Sequence, residues 1–425
     1  MGERTSENRG RFLAKRFILV ILACLLACCF SACGSGSNRK KGPETGDRIL
    51  KLALREGTYA DVIVSCLDKF ERENHIYCEI YEYNEDELHS RVATNALKNK
   101  GEFDLCMVDG SWMSEFIANG VLANLSDLGY ELDNDIIPAT TAVSYHDGDV
   151  YLAPYFGNVT VLLYNKILVH AAGYEKEDIN DLNDIMEICL DAKEHKSRGF
   201  MYRGDTENNI VVDFLPILLS FGGWVVDEDG NPTIDNDKFR EAVNFYLKLI
   251  DTGESAGKDD LVMAIANGGA AMGVGWPGWY MVKKNSSADY MAFTGKATEE
   301  STAYNANVYG IWTLGIAGNS PDKELAIELL EYLMDSSVQK STIDIGGVPC
   351  RYSSLRDREI LEKYPQYAAV CDALETGVYR PFIQNWTEFY TILGNYLRDI
   401  IKGDLTAEEG LKRAQKDLEA LKAAQ

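Results

Sequence analysis

Trp276 and Trp279 flank Pro277 and Gly278 in the run N-G-G-A-A-M-G-V-G-W-P-G-W-Y-M-V-K, residues 267–283. Proline lacks the donor a helix needs and glycine weakens a helix, so both rings are expected on a turn. Rings so placed either join a core or wait for an apolar surface to cover them, and both readings stay open. Two loops carry the other candidates. Arg55-Glu56-Gly57-Thr58 opens a predicted helix, whose first N–H groups attract electron-rich atoms. Asp109-Gly110-Ser111-Trp112 offers a carboxylate that can accept hydrogen bonds from hydroxyls or cap the turn after it.

Groups of this kind suit holding a molecule rather than cutting one. The chain has no G-x-S-x-G, no H-E-x-x-H and no P-loop. Its five histidines, at 75, 89, 146, 170 and 195, lie scattered in polar surroundings. Carboxylates are plentiful, so a paired-carboxylate glycosidase site is not excluded by composition, yet nothing singles out two of them. No catalytic residue, cofactor or metal is expected. Asp227-Glu228-Asp229-Gly230-Asn231 has the look of a calcium loop but lacks the downstream bidentate glutamate, and reads as a hairpin turn. Cys66, Cys78, Cys106, Cys189, Cys350 and Cys371 form no C-x-x-C pair and are expected as buried thiols. A net charge of −24 repels phosphate backbones and speaks against nucleic acid.

The elements that must position these groups follow from periodicity. Ile49 to Leu54, Cys78 to Tyr83 and Phe103 to Val108 read as strands. Between them lie a helix opened by Thr58, with Val62, Cys66 and Phe70 on one face, and a second from Glu85 to Lys98. That β-α-β-α-β order predicts a parallel sheet covered on both faces, with ligands beyond the carboxyl ends of its strands. Further helices are predicted over Asp178–Ala192 and around Phe239, Val243, Tyr246 and Ile250. Another is predicted after Ser320 as N-cap and Pro321 at its first position. Asn208–Phe221 is apolar and contains Pro216. Val150–Ala153 and Val159–Tyr164 are apolar runs parted by Pro154, Tyr155, Phe156, Gly157 and Asn158, two of them exposed-looking aromatics. They fit either two strands of different sheets or one bulged strand. A length of 425 residues favours two domains.

Residues 1–32 read as a targeting segment: Arg9, Arg11, Lys15 and Arg16, then the apolar Phe17–Phe30. F-S-A-C, ending at Cys33, resembles a bacterial lipobox, although Phe30 stands where leucine is usual. L-L-A-C ending at Cys28 is a rival, and an ordinary secretory signal a third reading. Lipidation at Cys33 would anchor the chain to a membrane through acyl chains, with residues 33–47 as tether.

Five stretches in order resemble the extracellular solute-binding proteins of the maltose-binding type. They are YLAPYFGNVTVLLYNKILVHAAGY from Tyr151, the Trp276–Trp279 run, VYGIWTLGIAGNSPDKELAIELLEYLM from Val308, GGVPCRYSSL from Gly346, and the closing YRPFIQNWTEFYTILGNYLRDIIKGDLTAEEGLKRAQKDLEAL. The resemblance implies an α/β, two-lobed, type II periplasmic-binding-protein-like fold with a ligand cleft between the lobes. Lobe 1 would be residues 48–156 and 312–342, and lobe 2 residues 157–311 and 343–425. Three crossovers would join them, near Pro154–Asn158, Gly310–Thr313 and Ser341–Pro349. It implies an extracytoplasmic protein, expected as a monomer, that captures a carbohydrate and delivers it to the permease subunits of an ABC importer. A sugar presents apolar C–H faces to rings and hydroxyls to carboxylates, amides and arginines. The rings expected at the cleft are Trp112, Tyr155, Trp279 and Trp312, with Trp224, Trp276 and Trp386 behind them. The polar contacts expected are Glu56, Thr58, Asp109, Asn158 and Arg351. Relatives that bind maltodextrin carry a carboxylate where this chain has Asn158, which puts maltose itself in doubt. A binder of peptide, polyamine or metal, a sensory lipoprotein and a secreted polysaccharide-cleaving enzyme remain as alternatives.

Overall fold

A computed structural model describes Pro43, residues 48–383 and residues 385–424. The targeting segment, the Cys33 lipobox and nearly all of the tether lie outside these residues. The first sheet begins with β1 (Arg48–Arg55), α1 (Thr58–Asn74), β2 (Ile76–Tyr83), α2 (Glu85–Ala96) and β3 (Leu105–Asp109). β1 pairs in parallel with both β2 and β3, as the alternating pattern predicts. The sheet does not stay parallel. Two strands from later in the chain, β4 (Ala153–Phe156) and β5 (Val161–Asn165), separate at this point, and only β4 joins it.

β5 belongs to a second sheet, so the apolar runs around Gly157 are two strands and not one bulged strand. Next come α3 (Leu182–Glu194), β6 (Arg198–Met201), α4 (Glu207–Ser220), α5 (Asp237–Ile250), α6 (Lys258–Ala266), β7 (Ala270–Gly275) and β8 (Ala288–Met291). The second sheet runs β8-β5-β7-β6, antiparallel except for β6 beside β7. The chain then returns as β9 (Trp312–Ile316), which lies antiparallel between β3 and β4 and completes the order β2-β1-β3-β9-β4. α7 (Lys323–Met334) packs back on α1 and β9. α8 (Gln366–Glu375) touches β8 and β5 of the second sheet and the turn Pro138–Thr141 of the first. α9 (Trp386–Lys402) and α10 (Ala407–Ala423) close against α4 and α5.

Some boundaries move for local reasons. α7 starts two residues later than Pro321 suggests, because the Asp322 carboxylate accepts from Leu325 N. Ser320 instead donates to Asp104 across to the first sheet, at 2.6 Å. α3 starts at Leu182 rather than Asp178, since Asp181 and Asp184 form a reciprocal capping box there. α4 tolerates Pro216 within its length. Asp227 turns the 227–231 loop on itself by accepting from Asp229 N and from both the backbone and side chain of Asn231. The six described cysteines are all free and buried.

The two crossings between the sheets are tied by backbone bonds to each other and to neighbouring loops. Gly157 N donates to Val348 O at 2.6 Å, Gly310 N to Asn158 O at 2.9 Å, and Gly110 N to Ile311 O at 3.1 Å. No side chain fits at Gly310, where a Cβ would meet the Trp276 ring at 2.8 Å. Gly310→Ala is therefore expected to lower stability by about 1–3 kcal/mol, the usual cost of overpacking. Urea unfolding checks this, and unchanged stability would mean that the Trp276 ring is free to move aside.

Candidate functional site

β1, β2 and β3 present their carboxyl ends to a cavity of about 1040 Å³, and the second sheet's connections wall its other side. From the first side come Arg55–Tyr59, Asn84–Asp86, His89, Asp109 and Trp112, and from the crossings Phe156, Asn158, Gly310 and Trp312. The other side supplies Arg203, Asp205–Asn209, Trp276, Trp279, Arg380 and Tyr390. Gly57 precedes α1 at φ 80° and gives no side-chain cap, so the N-terminus of a 17-residue helix faces the cavity.

Eight of the twelve expected residues line this cavity: Glu56, Thr58, Asp109, Trp112, Asn158, Trp276, Trp279 and Trp312. The structure places the other four elsewhere. Tyr155 alternates with Phe156 along β4, so its ring enters the first core, near Cys66 and Tyr332, and its buried hydroxyl has no partner. Both aromatics are buried rather than exposed, and Phe156 is the one at the cavity. Arg351 is consumed by Gln339 at 2.6 Å, Asp133 at 2.5 Å and the Met334 carbonyl, and ties α7 to the 133–135 loop. Trp386 stacks on Phe389, with ring centroids 5.5 Å apart, within the second core. Trp224 lies half-buried against that same core.

The aromatic wall is a connected cluster. Trp112 meets Trp312 edge to face at 5.5 Å, and Tyr59 meets Phe156 at 4.8 Å and Trp312 at 5.5 Å. Asn158 fixes the Tyr59 hydroxyl through its Nδ2 at 3.1 Å. Trp112, Trp276 and Trp312 are buried, whereas Trp279 is half-buried, packed in part against the first core. The Arg203 guanidinium lies over one face of the Trp279 ring at 5.0 Å. Arg203 is held by the buried Asp213, to which Nε donates at 3.1 Å, and by Asn209 at 2.7 Å.

Asp109 takes both parts that its type allows and a third besides. Its Oδ1 accepts from Ser111 N and Oγ, which caps the turn at Gly110–Trp112, and both of its oxygens accept from Arg380, at 2.6 and 2.8 Å. Arg380 is buried and sits just after the short strand Val378–Tyr379. Glu85, at the first position of α2, is half-buried on the cavity wall. Burial first, then the charge of Asp109, pushes its carboxyl up to about 7, against the opposing pull of Arg380 and Arg55.

Sequence reasoning missed Tyr59, Glu85, Arg203 and Arg380. The polar run Arg203–Asn209 follows β6 and leads into the first turn of α4, a strand-to-helix connection as visible in the sequence as Arg55–Thr58. Arg380 had no local signal, because its partner lies 271 residues away.

Two α/β bodies with a cleft between them and several crossings beneath it define a two-lobed, type II periplasmic-binding-protein-like fold. The chain belongs to the bacterial extracellular solute-binding protein family, whose model matches residues 56–340. It is 24% identical to the diacetylchitobiose binding protein DasA of Streptomyces coelicolor, over 74% of this chain and 76% of that one. It is likewise 24% identical to the maltodextrin-binding protein MdxE of Bacillus subtilis, over 92% and 94%. Its fold superposes on maltose-bound MalE3 of T. maritima with a TM-score of 0.77 at 23% identity, covering 88% of this chain and 99% of that one.

The Asp109–Arg380 pair gives a direct test of the cleft wall. Arg380→Met would leave a buried carboxylate without its cation and is expected to cost about 3–5 kcal/mol in urea unfolding at pH 7. Adding Asp109→Asn should restore much of that loss. A cost below about 1 kcal/mol would mean that the pair is solvated and contributes as a surface bridge does.

Proposed function

We propose that this protein captures a carbohydrate outside the cytoplasm and delivers it to an ABC importer, without turning it over. The observation that carries the reading is the pairing in one cleft of a partly exposed ring, Trp279, with a rim of amides, hydroxyls and carboxylates. A pyranose offers both complements: a C–H face to the ring and hydroxyls to the rim. Relatives named for diacetylchitobiose and maltodextrin support the class of ligand. Trp279 is the proposed stacking platform, with Trp112, Trp276 and Trp312 as walls. Glu56, Thr58, Asn158 and Asp109 are proposed at the polar rim, with Asp109 largely engaged by Arg380 and Ser111. The lipobox reading at Cys33 completes the proposal by holding the protein at the outer face of the cell membrane.

Thermal denaturation against a panel of mono- and oligosaccharides tests the ligand class. A sugar present at 100 times its Kd stabilises the folded state by about 2.7 kcal/mol, a readily visible shift. A panel without any shift, beside a shift with polyamines or peptides, would overturn the carbohydrate reading. With a sugar in hand, Trp279→Ala should cost about 2 kcal/mol or more of binding, over tenfold in Kd, with a much smaller loss of folding stability. Intact affinity with a loss of about 3–5 kcal/mol in unfolding would make this ring a core residue instead.

A further inference from the structure

Trp279 is held differently from the other rings of the cavity. Its backbone is fixed, since Trp279 N donates to Trp276 O at 3.0 Å and Tyr280 N to the Tyr290 hydroxyl at 2.9 Å. Its side chain has looser company. Among the described residues no aromatic ring pairs with it, and the first core covers it only in part. Trp112 and Trp312 by contrast pack on each other, with Phe116 and Tyr59 beside them. The group that does meet the Trp279 ring is the Arg203 guanidinium, 5.0 Å from its centre.

Arg203 is gripped at both ends by one carboxylate. Its backbone N donates to Asp213 Oδ2 at 2.9 Å, its Nε to Oδ1 at 3.1 Å and Oδ2 at 3.2 Å, and its Nη2 to Oδ1. Nη1 donates to Asn209 at 2.7 Å. Asp213 is fully buried midway along α4, and Arg203 is buried in the loop after β6. A buried pair of this kind is often no more stable than two apolar side chains of similar volume, so net stability does not account for it. It does hold the planar guanidinium in one orientation, because the forked contact fixes the plane and Asn209 takes the third nitrogen. We infer that Asp213, acting through Arg203, positions the Trp279 ring: the guanidinium occupies one face and selects the ring's rotamer before any ligand arrives, leaving a one-sided platform. A side chain ordered in advance is spared the entropy loss of being ordered on binding. The ordering of the ring stands on these contacts alone, and its effect on affinity rests on the carbohydrate reading.

Nuclear relaxation of the indole N–H groups in the nitrogen-labelled, ligand-free full chain reads the ring directly. Trp279→Phe identifies its signal among the six tryptophans by loss. In the wild type the Trp279 indole should be as ordered as those of the buried Trp276 and Trp312. The test variant is Arg203→Met with Asp213→Leu, which removes both charges at once and strands neither. In it the Trp279 order parameter should fall from the rigid range, about 0.85, to about 0.6 or less. The other five indoles should stay as they were and report an intact fold. If that variant does not fold, Arg203→Lys decides by the same signal, since it keeps a cation for Asp213 but no plane for the ring. A Trp279 indole already mobile in the wild type, or as ordered in the variant as in the wild type, overturns the inference. With a sugar from the thermal panel, the variant should bind about two- to tenfold more weakly, the penalty of ordering one side chain. In a Trp279→Ala background the same two substitutions should change Kd by less than about twofold, because Arg203 acts through the ring. The full loss in that background overturns the positioning role and makes Arg203 a ligand contact. A panel without any binding sugar leaves the relaxation test standing, so the two readings fail separately.

Discussion

The backbone lacing at Gly157, Asn158, Gly310 and Val348 is the constraint on which the rest of the structure depends. A chain that leaves one sheet for another must satisfy its N–H and C=O groups away from both ladders. Here Gly310 of one crossing bonds to Asn158 of the other, and Gly157 bonds to Val348 on a neighbouring loop. The closeness this requires excludes side chains. A Cβ at Gly157 would meet Leu374 at 2.9 Å, and one at Gly310 would meet Trp276 at 2.8 Å. Two of these residues, Asn158 and Gly310, line the floor of the cleft beside Phe156 and Trp312.

Buried ion pairs fix the walls to that floor. Asp109–Arg380 joins the end of β3 to the closing segment, and Arg203–Asp213 locks the loop after β6. Such pairs roughly repay the cost of taking charge out of water and are poor sources of net stability. Their effect on the cleft is to neutralise its arginines. Arg203 and Arg380 present stacked or saturated guanidiniums, which shape the cavity without marking it for anions. Glu85 is left as the carboxylate whose charge depends on its surroundings.

Local pattern made much of the fold legible. β1, β2, β3 and the helices between them follow from apolar periodicity, because each element needs only its own face to be defined. The Trp276–Trp279 turn was readable for a similar reason, since proline and glycine act on the backbone where they stand. Partners far apart in sequence were not readable. Arg351 and Arg380 are both arginines in the closing third of the chain, and nothing local tells which one reaches the cleft. The difference is set by Asp133 and Asp135 for one and Asp109 for the other. Tyr155 and Phe156 show a related limit. Alternation says that they face opposite ways, but only the pairing of β4 with β9 decides which way is inward.

The tryptophans make the last step. Four line one cavity, yet three are buried and packed edge-on or against backbone, where they hold their shape whether or not a ligand is present. Trp279 differs because Arg203 covers one face of its ring and the cavity adjoins the ring's exposed part. A cation over one face orients the ring without filling the site, and Asp213 and Asn209 keep the guanidinium from following a ligand. A platform ordered in advance loses little rotamer freedom when it is covered. On the proposed reading, affinity in this cleft depends on what meets the ring and on the rim facing it, with the buried rings as its fixed surround.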